Sequence, residues 1–176
     1  MKTNRNSFLL VVFLLLSTGM VFGQSTQANT YPIVQDVQTL DGILKAYYDV
    51  ISGPANSPRD WERDNSLHHP DALISITGKN REGKIYILTQ SLEDYHKGFG
   101  TPKAGFWEYE VSRKVEQFGN ITHVWSTYET KTEKDGPVVA RGINSIQLYF
   151  DGDRWWILSW MFDSERPDNP IPAKYQ

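Results

Sequence analysis

Four long segments that alternate apolar and polar residues fill the second half of this chain. They are separated by the turn sequences Gly119-Asn120, 134–137 and Asp151-Gly152, which carry the glycine, asparagine, aspartate and proline typical of tight turns. The segments read GFWEYEVSRKVEQF, ITHVWSTYETKTE, VVARGINSIQLYF and RWWILSWMFDSE. Segments of this length, joined by turns this short, predict a four-stranded antiparallel meander.

The first half of the chain has a different periodicity. VQTLDGILKAYYDVIS carries apolar residues at helical spacing, the turn around Ser57-Pro58 starts a second helix that runs to about Leu67, and SLEDYHKGF predicts a third. Two short extended pieces, DALISITG and GKIYIL, lie between the second and third helices. Helices followed by a long meander predict an α+β fold, with three N-terminal helices packed on a strongly curved, mostly antiparallel sheet.

The chain begins with the pattern of a secretory leader. Lys2 and Arg5 precede the apolar run at 8–22, and small and polar residues follow it. We predict a signal peptide over 1–23, a polar lead-in over 24–35, the domain over 36–166 and an irregular tail over 167–176. A membrane anchor is the alternative, but the run is shorter than the roughly 20 residues that span a bilayer. The expected location is therefore periplasmic or extracellular, with no stable membrane anchor after cleavage.

Composition excludes several classes of function. The chain has no cysteine, so disulfides, thiol catalysis and thiolate metal sites are absent. Its formal net charge is −3 and it has no basic cluster, which argues against nucleic acid as a partner. His68 and His69 are adjacent, but adjacent side chains point apart and no third imidazole lies at ligand spacing. We expect no metal and no cofactor.

Several local sequences resemble one superfamily. HHPDALIS, SLEDYHK, THVWSTYE and RGINSIQL followed by DGDRWWIL are similar to the nuclear transport factor 2-like proteins, which include ketosteroid isomerases and SnoaL-like polyketide cyclases. The resemblance implies a cystatin-like cone that encloses a pocket and, as in many relatives, a homodimer formed through the outer face of the sheet. Because this fold hosts enzymes, carriers and oligomerisation modules, the resemblance does not assign a reaction.

Alternation within each strand predicts which side chains line the pocket. Each hairpin taken alone gives a consistent set of inward-facing residues. When the second and third long strands are paired, however, the two sets fall on opposite faces of the sheet, so we expect a bulge between these strands. The predicted ligand-binding wall comprises Trp61, Trp107, Tyr109, Tyr128, Asn144, Trp155, Ser159 and Asp163. The opposite face of the last strand is apolar and predicts the dimer interface, formed by Trp156, Leu158, Trp160 and Phe162.

These residues support three functional hypotheses. The preferred one is binding of a small, largely apolar molecule, with aromatic rings giving contact area and Asn144, Ser159 and Asp163 orienting a polar end. The second is an isomerase or cyclase-like lyase with Asp163 as general base and a tyrosine, Tyr128 foremost, polarising a carbonyl group. The third is a non-catalytic interaction module. An alternative for Asp163 is a strand-end carboxylate at the solvent rim.

Overall fold

The computed structural model describes residues 30–176, so the predicted leader lies outside the described residues. Four helices precede or interrupt six strands, and a short 3-10 helix, Ala173–Tyr175, lies near the C-terminus. The helices are α1 (Val34–Val37), α2 (Leu40–Ile51), α3 (Trp61–Leu67) and α4 (Leu92–Phe99). The strands are β1 (His68–Lys79), β2 (Ile85–Ser91), β3 (Trp107–Phe118), β4 (Ile121–Lys131), β5 (Val138–Phe150) and β6 (Trp155–Ser164). The predicted α+β class is confirmed.

Side-chain caps set where the helices begin. The Thr39 hydroxyl accepts a hydrogen bond from the Gly42 amide at 2.9 Å and starts α2, which separates the short α1 from the long helix that the periodicity predicts as one. Ser91 caps α4 in the same way at 3.1 Å from the Asp94 amide, as its capping-box sequence predicts.

The six strands form one sheet in the order β2-β1-β6-β5-β4-β3. Strands β1 and β6 pair in parallel and every other neighbouring pair is antiparallel. The predicted four-stranded meander corresponds to β3–β6, and the predicted two-residue turn at Gly119-Asn120 joins Phe118 to its partner Ile121. The β1–β2 hairpin extends the sheet beyond β6, opposite the edge formed by β3.

Three bulges within the meander β3–β6 change which way its strand residues face. The expected bulge between the second and third long strands is present at Val139, where the partner of Lys131 is Val138 and that of Thr130 is Ala140. Two more interrupt the hairpins themselves, at Val111 in β3 and Leu158 in β6. Because each bulge adds one residue, the alternation of side chains reverses across it.

The core lies between the helices and the inner face of the sheet. Helix α2 buries one side against strand residues that are themselves fully enclosed, including Val124, Ile146, Ile157 and Trp160. Burying each such side chain contributes about 1.5–3 kcal/mol, so α2 and the meander stabilise each other. Among residues 30–176 no helix is long and apolar enough to cross a membrane.

Candidate functional site

An apolar cavity of about 530 Å³ opens between α2, α4 and the inner face of the sheet. Its wall consists mostly of aromatic and aliphatic side chains, with a few polar groups from β3, β4 and β5. The lining residues that matter below are Tyr47, Tyr95, Phe99, Phe106, Glu108, Thr130, Ala140, Asn144, Trp160 and Phe162. A volume of this size accommodates a drug-sized molecule.

The aromatic rings of this wall pack edge to face. The Trp160 ring lies 5.0 Å from Tyr95 and 5.7 Å from Tyr47, between their centroids, and Phe99 meets Phe106 at 5.6 Å. Such pairs hold one another in place, since each T-shaped contact adds about 0.5–1.5 kcal/mol beyond burial. The wall is therefore an ordered aromatic surface.

A single carboxylate, Glu108, stands within this apolar wall. The residue is 8% exposed, and the Thr130 hydroxyl donates a hydrogen bond to Glu108 Oε2 at 3.1 Å. Burial raises the pKa of Glu108 to about 7, against the smaller opposing effect of hydrogen bonds from Thr130 and Asn144. Because both partners line the cavity, the carboxyl group faces it. Near neutral pH this group exchanges between acid and carboxylate.

Polar side chains extend from Asn144 away from the cavity. The Asn144 amide donates to the Tyr48 hydroxyl at 3.1 Å, and the Tyr48 and Ser126 hydroxyls are 2.7 Å apart. The Ser126 hydroxyl then donates to Glu110, which forms an ion pair with Arg113 at 2.7 Å. Burial raises the pKa of Tyr48. These contacts fix the Asn144 amide in the cavity wall.

The structure places four of the predicted wall residues on the inner side of the fold. Asn144 lines the cavity directly. Tyr128 is buried next to Gly142 with its hydroxyl 3.4 Å from Ser164 Oγ, and burial raises its pKa to about 12. Trp155 is buried against Phe150 near the β5–β6 turn.

Trp61 lies behind the wall. Its ring stacks on His96 at a centroid distance of 4.2 Å and meets Phe99 edge to face at 5.4 Å. It therefore supports a lining residue without itself reaching the cavity.

The predicted inward orientation of the other four wall residues is wrong. Trp107 and Tyr109 precede the Val111 bulge and pair with Lys131 and Glu129 on the opposite face from Glu108. Ser159 and Asp163 follow the Leu158 bulge, which reverses the alternation established by Trp155 and Ile157. A strand alternation read without its bulges assigns such residues to the wrong face.

Asp163 consequently lies on the outer face, away from the aromatic cavity. Its carboxylate forms an ion pair with Arg166 and accepts a hydrogen bond from the Asn169 side chain at 3.3 Å. It also accepts one from the Ser164 amide at 2.9 Å. This is the strand-end carboxylate of the alternative hypothesis.

The same bulge corrects the predicted dimer face. Trp160 is 3% exposed and lines the cavity together with Phe162, so neither contributes to the outer surface. Trp156 stays on the outer side, where its indole N–H donates to Asp151 at 2.6 Å, and Leu158 remains exposed at the bulge. Of the four predicted residues, Trp156 and Leu158 therefore remain on the outer face, and Trp160 and Phe162 do not.

A second cleft of about 660 Å³ borders α2 and the free edge of β3. Trp107 and Tyr109 line it, together with both acidic and basic side chains. Its cations are largely matched by neighbouring acids, as in the pair of Arg63 with Asp36 at 2.7 Å and that of Arg113 with Asp41 at 2.7 Å. This cleft has no concentrated charge of either sign.

A buried polar cluster contacts the cavity wall through Trp160. Asp64 is 1% exposed and accepts a hydrogen bond from His96 Nε2 at 2.6 Å. His68 donates from Nδ1 to the Asp64 backbone carbonyl at 2.9 Å and accepts the Trp160 indole N–H on Nε2 at 3.2 Å. Within the described part of the chain, no group of three His, Asp or Glu side chains is arranged to hold a metal ion.

Sequence reasoning missed Glu108 and the Asp64–His96 pair. Glu108 sits one position from Trp107 in an alternating strand, and alternation assigned the tryptophan to the interior. The spacing of Asp64 and His68, four residues apart, is a weak signal because α3 ends between them. His96 lies in α4, and only the packed helices bring it to Asp64.

No protein-family model matches the sequence, and no curated protein sequence matches it. The fold is similar to several solved structures. One is a protein of unknown function with a cystatin-like fold from Nostoc punctiforme, with 12% identity, TM-score 0.52, and coverage of 74% of this chain and 90% of that one. Another is a candidate calcium/calmodulin-dependent kinase II association domain from Exiguobacterium sibiricum, with 13% identity, TM-score 0.51, and coverage of 80% and 98%.

A nuclear transport factor 2-like protein from Cytophaga hutchinsonii is also similar, with 14% identity, TM-score 0.48, and coverage of 69% of this chain and 88% of that one. The predicted cystatin-like cone fold is confirmed by the likeness to the Nostoc punctiforme structure. At this level of identity the likeness carries no activity over to this chain.

Proposed function

We propose that this protein is an exported small-molecule-binding protein whose ligand occupies the aromatic cavity. The observation that carries the proposal is the cavity of about 530 Å³ walled by Tyr47, Tyr95, Phe99, Phe106 and Trp160. An ordered apolar wall with few polar groups suits a largely apolar molecule with one polar end. The open volume favours this function over an interaction module whose cone is filled by its own side chains.

Ala140 offers a direct test because it is an exposed cavity-lining residue, at the mouth of the cavity. In Ala140→Trp the new ring would obstruct entry without disturbing the buried core. Val138→Trp is the matched control, since it adds the same ring two residues away at a position that does not line the cavity.

The experiment is native mass spectrometry of the mature protein purified from its own exported fraction. We expect a bound small molecule on the wild type and on Val138→Trp, and its loss from Ala140→Trp. Equal occupancy in all three proteins, or an empty wild type that gives no thermal shift with steroids, polyketides, aromatic acids or aromatic amines, would refute the proposal.

The second candidate function is acid–base catalysis, and Glu108 is the observation that favours it. A carboxyl group with a pKa of about 7 in an apolar cavity can accept a proton from a bound substrate at neutral pH. Glu108 takes the place of Asp163 as the candidate general base, because Asp163 lies outside the cavity.

Hydrogen–deuterium exchange of a ketone tests this candidate. A base in the cavity would exchange the α-protons of benzylacetone in heavy water faster than buffer, and Glu108→Gln would abolish the effect while retaining binding. Exchange at the buffer rate with the wild type would exclude catalysis of this kind and leave the binding function standing.

We further propose a homodimer formed through the outer face of the sheet. Leu73, Leu158 and Met161 expose 40% or more of their surface on neighbouring strands there. Such a patch favours association. We expect Met161→Glu to shift the protein to monomer in light scattering, whereas Val34→Glu, at an exposed apolar position on α1, leaves the dimer intact. A wild-type monomer would contradict this.

The proposal that the protein is exported depends on the predicted signal peptide over 1–23. We expect the protein recovered outside the inner membrane to begin at Gln24, as cleavage after Gly23 requires. Intact-mass measurement of the exported protein tests this, and a chain that retains Met1 would overturn it.

A further inference from the structure

Among residues 30–176, the side chains that line the cavity include an acid but no base. Of the described residues that line it, Glu108 is the only one with an ionisable side chain other than tyrosine, and none is lysine, arginine or histidine. Glu108 also borders the second cleft, where Arg113 is paired with Asp41 and Glu110 and Arg63 is paired with Asp36. A ligand in this cavity therefore meets a carboxyl group and aromatic faces, and no cation.

An anionic ligand is disfavoured on these grounds. Its charge would be taken from water into an apolar cavity with no opposite charge to receive it, and the Glu108 carboxylate would repel it. A positively charged ligand meets the reverse situation. Its charge would pair with Glu108, and the faces of Tyr47, Tyr95 and Trp160 would add cation–π attraction.

The hydrogen bonds of Glu108 leave it able to take such a partner. Thr130 donates to Oε2, and the Asn144 amide adds a second hydrogen bond. Two donors do not saturate a carboxylate, which has about four lone-pair sites. Because Glu108 lines the cavity, an ammonium group there could donate up to two hydrogen bonds to the sites that are left.

We propose that the ligand of this cavity is a cationic amine with an apolar, aromatic or alkyl body, and that Glu108 is its counter-ion. This inference rests on the proposed binding function and specifies its ligand class. The apolar body lies along Phe99, Phe106 and Trp160, and the ammonium group lies against Glu108.

The number of protons released or taken up on binding distinguishes a cationic ligand from a neutral one. Glu108 is about half protonated near neutral pH when the cavity is empty. An ammonium ligand requires the carboxylate, so its binding releases about half a proton per ligand. A neutral ligand that accepts a hydrogen bond from the protonated acid would instead take up about half a proton. The two signs are opposite.

The surrounding titratable groups do not reverse this sign. From α2 Tyr47 and Tyr48, from α4 Tyr95 and from β4 Tyr128 face Glu108, and burial raises the pKa of all four phenols, so they stay neutral. The titratable and charged groups farther out are Glu110 with Arg113 on the same strand, and Asp64, hydrogen-bonded to His96, behind the tyrosines. Lys45, Arg63 and Lys134 line the second cleft.

Three probes that share one indole body test the proposal: tryptamine, tryptophol and indolepropionate. They carry an ammonium group, a hydroxyl and a carboxylate at comparable chain length. Isothermal titration near pH 7, repeated in buffers of different ionisation enthalpy, gives both affinity and proton release. We expect the wild type to bind tryptamine at least about tenfold more tightly than tryptophol, to bind indolepropionate least, and to release about half a proton with tryptamine.

Glu108→Gln keeps the shape of the side chain and removes its charge. We expect it to lose the preference for tryptamine and the proton release, while tryptophol binding changes by less than about threefold. Glu129→Gln is the matched control, because Glu129 is a half-buried acid of the outer face that pairs with Arg141. It should retain the wild-type preference.

Each result has a distinct meaning. Tryptophol binding as well as tryptamine, proton uptake in place of release, or a preference that survives Glu108→Gln would overturn the amine assignment while the binding function stands. Binding of none of the three probes would overturn the amine assignment as well. The proposed function itself fails only if the Ala140→Trp comparison also finds no ligand in the cavity.

Discussion

Replacing Glu108 by glutamine should change how the stability of the protein depends on pH. The folded structure holds the pKa of this carboxyl group at about 7, above its ordinary value of 4.5, because burial disfavours the charged form. Between these two pH values the unfolded chain has released the proton and the folded chain has kept it. The free energy of unfolding therefore falls as the pH rises from about 4.5 to about 7, and it levels off above that.

The magnitude follows from the two pKa values. A difference between 4.5 and about 7 corresponds to about 3 kcal/mol, at about 1.4 kcal/mol for each tenfold change in the protonation equilibrium. Glutamine has no proton to lose, so Glu108→Gln removes this dependence. Relative to the wild type, the variant should gain about 3 kcal/mol between about pH 4.5 and pH 8.

Urea unfolding followed by tryptophan fluorescence measures this difference. The curves are recorded at several values between about pH 4.5 and pH 8 on ligand-free wild type, Glu108→Gln and Glu129→Gln. The contributions of all other titrating groups are shared by the proteins and cancel in the comparison. Glu129→Gln should follow the wild-type pH profile, since its carboxylate lies on the outer face beside Arg141.

Parallel stability curves for the wild type and Glu108→Gln across this range would refute the reasoning. They would mean that Glu108 ionises in the folded protein as it does in the unfolded chain, and that water or a cation reaches it. Both the catalytic candidate and the counter-ion assignment would then lose their electrostatic support.

Three further changes test the packing that shapes the site, each by urea unfolding. Gly142→Ala should destabilise the protein by about 3 kcal/mol, because an added methyl group would overlap the Tyr128 hydroxyl, and wild-type stability would contradict that contact. Asp64→Ala should cost about 3 kcal/mol by leaving His96 without its buried acceptor, and a loss below about 1 kcal/mol would argue against the pair. Thr39→Ala should cost about 1 kcal/mol through loss of the α2 cap, and no change would show that another group satisfies that amide.

The local features that could be predicted are those in which neighbouring residues along the chain decide the outcome. The Ser91 cap, the Gly119-Asn120 turn and the inward position of Tyr128 all depend on short-range geometry. Asn144 was placed in the wall correctly for the same reason, since β5 is regular from Ala140 to Gln147.

The amino-acid sequence by itself determined the class of fold. The change from helical to strand periodicity and the turn residues between strands depend only on residues that are close together in the chain. Only the tertiary structure decided which side chains face the cavity. Bulges at Val111 and Leu158 turn Glu108 and Trp160 inward, and Trp107 and Asp163 outward. A bulge forms where curvature of the sheet and packing against α2 require an extra residue, so its position depends on contacts between residues far apart in the chain.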